Sequence, residues 1–182
     1  MMNSLNLQGK TLAILATDGF EQSELFEPMK QLAEMGAQVD IVSLQSGEIR
    51  GWNETDWGEP VKVDKVLDEA QPSDYDALVL PGGLFNPDKL RNTPAAVNFI
   101  KQFYSETGEA PIAAICHGPW LLVESKLVNN VTMTSYPSIK TDLSNAGARW
   151  IDEEVVTDGR IITSRKPDDL PVFINTIARY LH

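Results

Sequence analysis

The chain has 182 residues, 42% of them hydrophobic, and a formal net charge of −11 at pH 7 from 15 Lys and Arg against 26 Asp and Glu. This length suits a single domain, 1–182, with a substantial core, and the composition excludes a disordered chain. The charge excludes nucleic-acid binding, or attachment to an anionic membrane, through a basic face.

Met1–Lys10 has no basic start followed by an apolar run. No signal peptide is therefore expected, residues 1–9 read as a loose lead, and a cytoplasmic location is the default. Lys10–Thr17 (KTLAILAT) is a short buried-strand run. Glu21–Met35 places Leu25, Met29, Leu32 and Met35 at helical spacing, with Gly36 as the stop. Gln38–Leu44 reads as a second strand, and Gly47–Asp64, rich in Gly, Trp and charge, as a hairpin excursion. Asp76–Leu80 is a third strand, running into a loop that starts Pro81-Gly82-Gly83. Pro94–Thr107 reads as a helix with Thr93 as its cap and Pro94 at its first position. Pro111–Ile115 is a fourth strand, and a helix is expected over His117–Ser125, immediately after Cys116. Val131–Ser135, Glu154–Thr157 and Arg160–Ser164 read as short strands, and Pro171–Leu181 as a closing helix. No apolar run approaches the ~20 residues of a membrane-spanning helix.

Strands alternating with helices imply a mostly parallel sheet covered on both faces, a three-layer α/β/α sandwich. In such sheets the functional site lies off the carboxyl ends of the strands. Three segments that follow strands fall on that rim.

The first is Ala114–Trp120 (AICHGPW), which carries the only cysteine, Cys116, and one of only two histidines, His117. A lone cysteine excludes a disulfide framework and a multi-cysteine zinc site. Ala-x-Cys-x-Gly is close to the spacing of a nucleophile elbow, where small neighbours let the backbone double back and expose the nucleophile. A helix start there favours thiolate, and the His117 N–H is free to hold an oxyanion. The alternative is an inert buried cysteine. His117 has the chemistry of a general acid or base, though adjacent side chains normally diverge. The other histidine, His182, ends the chain and is expected to fray.

The second is Thr17–Leu25 (TDGFEQSEL), in which Glu21 and Glu24 lie in the first helical turn. Acids there complement the helix dipole. A functional part requires one carboxyl turned inward to hydrogen-bond the sulfur, kept protonated by burial. The third is Leu80–Arg91 (LPGGLFNPDKLR). Gly82-Gly83 lets backbone approach a bound group closely, but the Lys-Ser/Thr ending of a phosphate loop is absent. Asp88 and Arg91 read equally well as solvated charges.

These segments, with YPSIKTDLSNAGARW (136–150) and TSRKPDDLP (163–171), resemble in composition and order the PfpI endopeptidase-like branch of the ThiJ/PfpI superfamily. That superfamily is itself similar to class I glutamine amidotransferases. The resemblance runs over roughly Lys10–Leu181. It implies a flavodoxin-like fold with Cys116 as the elbow nucleophile. It matches Glu24 to an inward glutamate that hydrogen-bonds the cysteine, and Glu21 to a neighbouring surface acid. His117 corresponds to the histidine of a Cys-His pair, and Gly83 and His117 to the backbone donors of an oxyanion hole. Asp88 falls where some members place a longer acid, Glu, that reaches the histidine of a neighbouring subunit. Arg165 and Pro167 match a segment near the cysteine, which makes Arg165 a candidate substrate-binding residue. The segment Trp52–Thr55 lacks a histidine that some relatives carry, so it is given no catalytic part.

The activity the resemblance implies is divided. The first expectation is a cysteine-dependent stress-response enzyme acting on small reactive aldehydes such as methylglyoxal or on glycated adducts, of glyoxalase or deglycase type, with no cofactor and no metal. A Cys-His peptidase is the alternative, and a redox-sensing or chaperone-like stress protein is the third. A homo-oligomer is expected, a dimer first and a hexamer second. Trp52 and Trp57 are candidates for that interface or for the core.

Overall fold

The computed structural model describes residues 5–182. Thr11–Leu15 forms β1 and Phe20–Glu21 a short β2, followed by helix α1, Gln22–Glu34. Gln38–Ser43 is β3, Glu48–Asn53 is β4, Asp56–Lys62 is β5 and Lys65–Val66 is β6. Ala77–Leu80 is β7, followed by α2 over Phe85–Arg91 and α3 over Pro94–Glu106. Ile112–Ile115 is β8 and Trp120–Glu124 is α4. Thr132–Met133 is β9, Lys140–Asn145 is α5 and Arg149–Trp150 is β10. Val155–Asp158 is β11, Ile161–Ser164 is β12, and Leu170–Leu181 is α6.

The central sheet has seven strands in the order β11-β12-β8-β7-β1-β3-β6. Its pairs are parallel except for β11 against β12. β7, β8 and β12 are buried at every position, as short apolar runs covered on both faces should be. β1 shows the layering: Leu12 and Ile14 pack with Leu25 and Leu32 of α1 and Phe173 and Ile177 of α6. Ala13 and Leu15 point the other way, into the cluster of Phe99, Ile100 and Phe103 from α3 and Leu121 and Leu122 from α4. The result is the flavodoxin-like three-layer sandwich with a mostly parallel sheet. The excursion at Gly47–Asp64 is an antiparallel β4–β5 hairpin, and β4 also pairs with β2.

Four local expectations are corrected. The stretch after Gly83 is not a loop: α2 forms there, with Leu90 buried against the α3–α4 side of the sheet. α4 begins at Trp120, so Cys116–Pro119 is a turn and the helix has only five residues. The turn closes through short-range bonds instead, such as Trp120 N–H to the His117 carbonyl at 3.1 Å. Thr93 does precede α3, but its hydroxyl donates back to the Lys89 carbonyl at 2.8 Å and does not cap the helix. Finally, part of the expected loose lead is packed. Leu7 is fully buried in the core and its N–H bonds the Met35 carbonyl at 2.8 Å. Residues 1–4 of that lead lie outside the described residues.

Candidate active site

Cys116 follows β8 directly and has φ of +64°, a left-handed conformation that costs a non-glycine residue about 1–2 kcal/mol. Two neighbouring strands' extensions hold it there. Its N–H donates to the Ser164 carbonyl at 3.1 Å, and its own carbonyl accepts from the Tyr136 N–H at 2.8 Å. Gly118 is required for the turn: a Cβ there would strike the Leu80 carbonyl oxygen and lie 2.8 Å from the Ile115 carbonyl oxygen. This is the physical content of the small-x-Cys-x-Gly pattern.

The two acids of TDGFEQSEL separate cleanly. Glu21 is the N-cap of α1, accepting the Glu24 N–H at 3.0 Å and the Ser23 hydroxyl. Glu24 is fully buried, and its Oε2 accepts the Gly82 N–H at 2.7 Å. Its Oε1 takes no N–H or O–H donor, and the Cys116 thiol is the other hydrogen-bonding group facing the carboxyl. Burial pushes the Glu24 carboxyl well up, the nearby Glu21 charge adds to this, and the Gly82 N–H only partly offsets it. The carboxyl is therefore held protonated. Burial also pushes the Cys116 thiol up, as does an ionised Glu24 beside it, while the N–H groups of Gly83 and His117 pull it down. Once Glu24 carries its proton, its repulsion disappears and its O–H becomes a donor to sulfur. The thiolate then has three donors: Glu24, Gly83 and His117.

Gly83 has φ of +83°, and a Cβ on it would collide with the Gly19 carbonyl oxygen and lie 2.7 Å from the Glu21 nitrogen. Only glycine lets this segment lie so close to the β1–β2 loop. A Cβ on Gly82 would meet Glu24 Oε2 at 2.6 Å, Cys116 Cβ at 2.7 Å and the His117 nitrogen at 2.9 Å. Gly82 is thus where the three rim segments converge.

His117 is brought onto the cysteine after all. Its Nδ1 lies 3.2 Å from Cys116 Sγ, because the left-handed conformation of Cys116 breaks the usual divergence of neighbouring side chains. The ring stacks on Tyr136 with centroids 4.9 Å apart and meets the edge of Trp120 at 5.1 Å. Burial lowers its pKa, so the imidazole is neutral near pH 7.

The remaining candidates stand apart from the thiol. Asp88 is on the exposed side of α2, and the side-chain hydrogen bonds of His117 within this chain go to Cys116 and Ser138. Arg91 pairs with Glu124 at 2.9 Å and lies over the Trp120 ring, so it is not simply solvated. Arg165 follows the strand that supports Cys116, but its guanidinium is not turned to the thiol. It forms a two-pronged bridge to the buried Asp169, at 2.9 and 3.0 Å, and reaches Asp152 at 2.9 Å. Trp52, Trp57 and Phe85 cluster edge-to-face and stacked, with Trp57 48% and Phe85 56% exposed, so Trp57 is no core residue. His182 is exposed, with Nδ1 3.4 Å from the Asn6 carbonyl.

Two residues went unnoticed in the sequence. Asn86 is fully buried; its Oδ1 accepts the Thr17 N–H at 2.8 Å, and its Nδ2 donates to the Pro81 and Gly82 carbonyls at 3.0 and 3.2 Å. It ties the β1 loop to the Gly82-Gly83 loop. Ser138 meets His117 Nε2 at 3.2 Å. Neither carries a spacing signal, because each acts on residues distant in sequence. Among the described residues, no three His, Cys, Asp or Glu side chains gather as a metal set, and no helix is long and apolar enough to cross a membrane.

A parallel sandwich with a cysteine held left-handed after a central strand defines a flavodoxin-like protein built around a nucleophile elbow. The chain belongs to the DJ-1/PfpI family, whose model matches residues 10–180. It is 43% identical to YraA of Bacillus subtilis (strain 168), named as a proposed cysteine protease, over 90% of this chain and 94% of that one. It is 41% identical to General stress protein 18 of the same organism, over 91% and 94%. It is 40% identical to Protein/nucleic acid deglycase 2 of Escherichia coli (strain K12), over 94% and 98%. Among solved structures, it matches a two-domain protein from Anabaena variabilis with DJ-1/ThiJ/PfpI-like and ferritin-like domains at a TM-score of 0.88 and 34% identity. That match covers 94% of this chain and 48% of the other.

Proposed function

We propose that this protein is a cysteine-dependent stress-response enzyme of deglycase or glyoxalase type, acting on reactive aldehydes or their adducts. The observation that carries the reading is the convergence of one thiol, one buried carboxyl and one imidazole: Cys116, Glu24 and His117 around Gly82. Relatives of about 40% identity named for deglycase and general stress proteins support the same class.

In this mechanism the Cys116 sulfur attacks the aldehyde carbon of methylglyoxal or its adduct, giving a hemithioacetal. The N–H groups of Gly83 and His117 hold the oxygen as charge develops on it. Neutral His117 takes the proton from the hemithioacetal carbon and returns it to the neighbouring carbon, or Glu24 does so after giving its own proton to the oxyanion, and water then releases lactate and the free thiol. For an adduct, the carbon attacked already carries the amine or thiol; that C–N or C–S bond breaks as the bond to Cys116 forms, and the amine or thiol leaves with a proton supplied by His117 or Glu24. Asp88 is proposed to act only across a subunit interface, in a dimer or hexamer, and Arg165 to brace the strand end behind Cys116 and not to bind substrate. A protein- or metabolite-borne adduct fits the charge of −11 better than a phosphate-rich one. We place this one-domain protein in the cytoplasm.

Purified protein incubated with methylglyoxal, alone or as an adduct of N-acetylated lysine, arginine or cysteine, is expected to yield lactate, and Cys116→Ala to yield none. Absence of lactate from every substrate overturns the reading. The 3.2 Å approach of His117 Nδ1 to Cys116 Sγ also favours a second reading, a Cys-His peptidase. Turnover of peptide substrates lost in both Cys116→Ala and His117→Ala, without lactate formation, would establish that one instead.

A further inference from the structure

The imidazole of His117 is held at both nitrogens. Nδ1 lies 3.2 Å from Cys116 Sγ, and Nε2 lies 3.2 Å from the Ser138 hydroxyl. Ser138 sits in a single turn, Pro137–Ile139, immediately after Tyr136. That segment is anchored to the elbow by the bond from the Tyr136 N–H to the Cys116 carbonyl, and Tyr136 itself stacks on the ring. The hydroxyl is thus delivered to the far side of the imidazole by the same stretch of chain that clamps the cysteine.

We propose that Ser138 is a positioning residue: its oxygen accepts the Nε2–H of His117 and thereby leaves Nδ1 bare, facing the thiol as its base. A neutral imidazole carries one N–H, so occupying Nε2 with an acceptor selects the tautomer that can take a proton from sulfur. The S–H bond breaks and the Nδ1–H bond forms. The resulting imidazolium donates from Nδ1 to the thiolate and from Nε2 to the same serine oxygen, which serves both states without moving. An uncharged acceptor assists the imidazolium less than a carboxylate would.

The surroundings of the ring leave this role open to Ser138. Cys116 faces it from the elbow, with the Glu24 carboxyl behind the thiol from α1. Tyr136 covers one face, and Trp120 of α4 offers its edge. Arg91 of α2 lies over that tryptophan, and Asp142 of α5 accepts its Nε1–H at 2.9 Å, so both charges act on Trp120 rather than on the imidazole. Within this chain, among the described residues, no carboxylate hydrogen-bonds His117; the acid proposed to approach it from a neighbouring subunit is Asp88.

The inference rests on Cys116 as the nucleophile, but its test needs no aldehyde substrate. Cys116 is the only cysteine, so alkylation by iodoacetamide followed by intact mass reads one thiol. Rates are measured from pH 5 to 9 for wild type, Ser138→Ala and Ser138→Thr. Losing one hydrogen bond of this kind is expected to slow alkylation at pH 7 by about 3–10-fold in the Ala variant and to move the profile's midpoint up by about half a unit. Ser138→Thr, which keeps the hydroxyl, is expected to stay within about twofold of wild type. An unmoved midpoint in Ser138→Ala, or a Thr variant as slow as the Ala variant, overturns the proposal. Nitrogen-15 spectra of wild type give a reading independent of any variant, because the chain has only two histidines. The Nε2–H tautomer is expected for His117, and the Nδ1–H tautomer overturns the proposal. Failure of lactate formation would remove the aldehyde reading while leaving these results intact.

Discussion

Replacing Glu24 by Gln tests the protonation state on which the site depends. The carboxyl is fully buried, with one oxygen on the Gly82 N–H at 2.7 Å and the other side facing the Cys116 thiol. Glutamine has nearly the same shape, keeps an acceptor for Gly82 and offers an N–H where the protonated acid offers O–H. If the folded carboxyl is neutral, the substitution removes little in the native state. It does remove a pH-dependent cost. Burial raises the folded carboxyl above the unfolded value of about 4.3, so between those two values the folded state binds a proton that the unfolded state has released. Stability is therefore intact below the unfolded pKa and is lost as pH rises toward the folded one. Over that window the folding constant of wild type falls about tenfold per pH unit relative to the Gln variant. His117, whose pKa is lowered by burial, titrates in both proteins and cancels in the difference. Urea unfolding at each pH from 4 to 8 measures that difference. The gap should open in favour of the Gln variant from about pH 5 upward. A flat difference, or one that widens toward acid, would show that Glu24 is ionised in the fold and would refute the protonated-donor account.

Cys116→Gly and Cys116→Ala should both abolish lactate formation, but the Gly variant should melt at or above the Ala variant, because φ of +64° strains any residue with a Cβ by about 1 kcal/mol. A Gly variant clearly less stable than the Ala variant contradicts a strained elbow. Gly82→Ala inserts a methyl within 2.6–2.9 Å of Glu24, Cys116 and the His117 nitrogen. It should cost about 1–3 kcal/mol in thermal unfolding and lower kcat/KM by more than about tenfold, since crowding here displaces the reacting groups directly. Retained activity would mean the loops separate easily. Arg165→Ala strips the buried Asp169 of a two-pronged partner and should destabilise by about 1–3 kcal/mol. Arg165→Lys should recover little of it, because an ammonium does not reproduce the planar fork. A KM change for aldehyde with no loss of stability in Arg165→Ala would instead return Arg165 to substrate binding.

The layers were readable from period alone. Short apolar runs such as ALVL and IAAI can be buried on both faces, and helical spacing between them supplies the cover. The missing α2 shows the limit. LFNPDKLR has Pro87 at its fourth position and Asn86 beside it, a composition that reads as a turn. The segment is nevertheless helical, because buried Asn86 satisfies the loop carbonyls of Pro81 and Gly82 and Leu90 enters the core. α4 failed in the opposite direction: the run after Cys116 looked helical from its first residue, yet the strained elbow delays the helix to Trp120. A thiolate formed there would consequently rely on Gly83, His117 and Glu24, and not on a long helix's dipole.

By itself, the sequence determined that thiol chemistry in this acidic chain has only Cys116 to use, and imidazole chemistry away from the terminus only His117. It also narrowed the supporting acid to Glu21 or Glu24 by residue spacing. Spacing alone left the two open and the family resemblance favoured Glu24; the tertiary structure gives the physical reason, using Glu21 as the extended N-cap of α1 and burying Glu24 one turn on. Only packing could place Asn86 between two loops and Ser138 behind His117, because those contacts join residues 69 and 21 positions apart through the convergence of strand ends. Local pattern names the candidate groups; their protonation and aim come from burial and from distant backbone donors, which no single segment encodes.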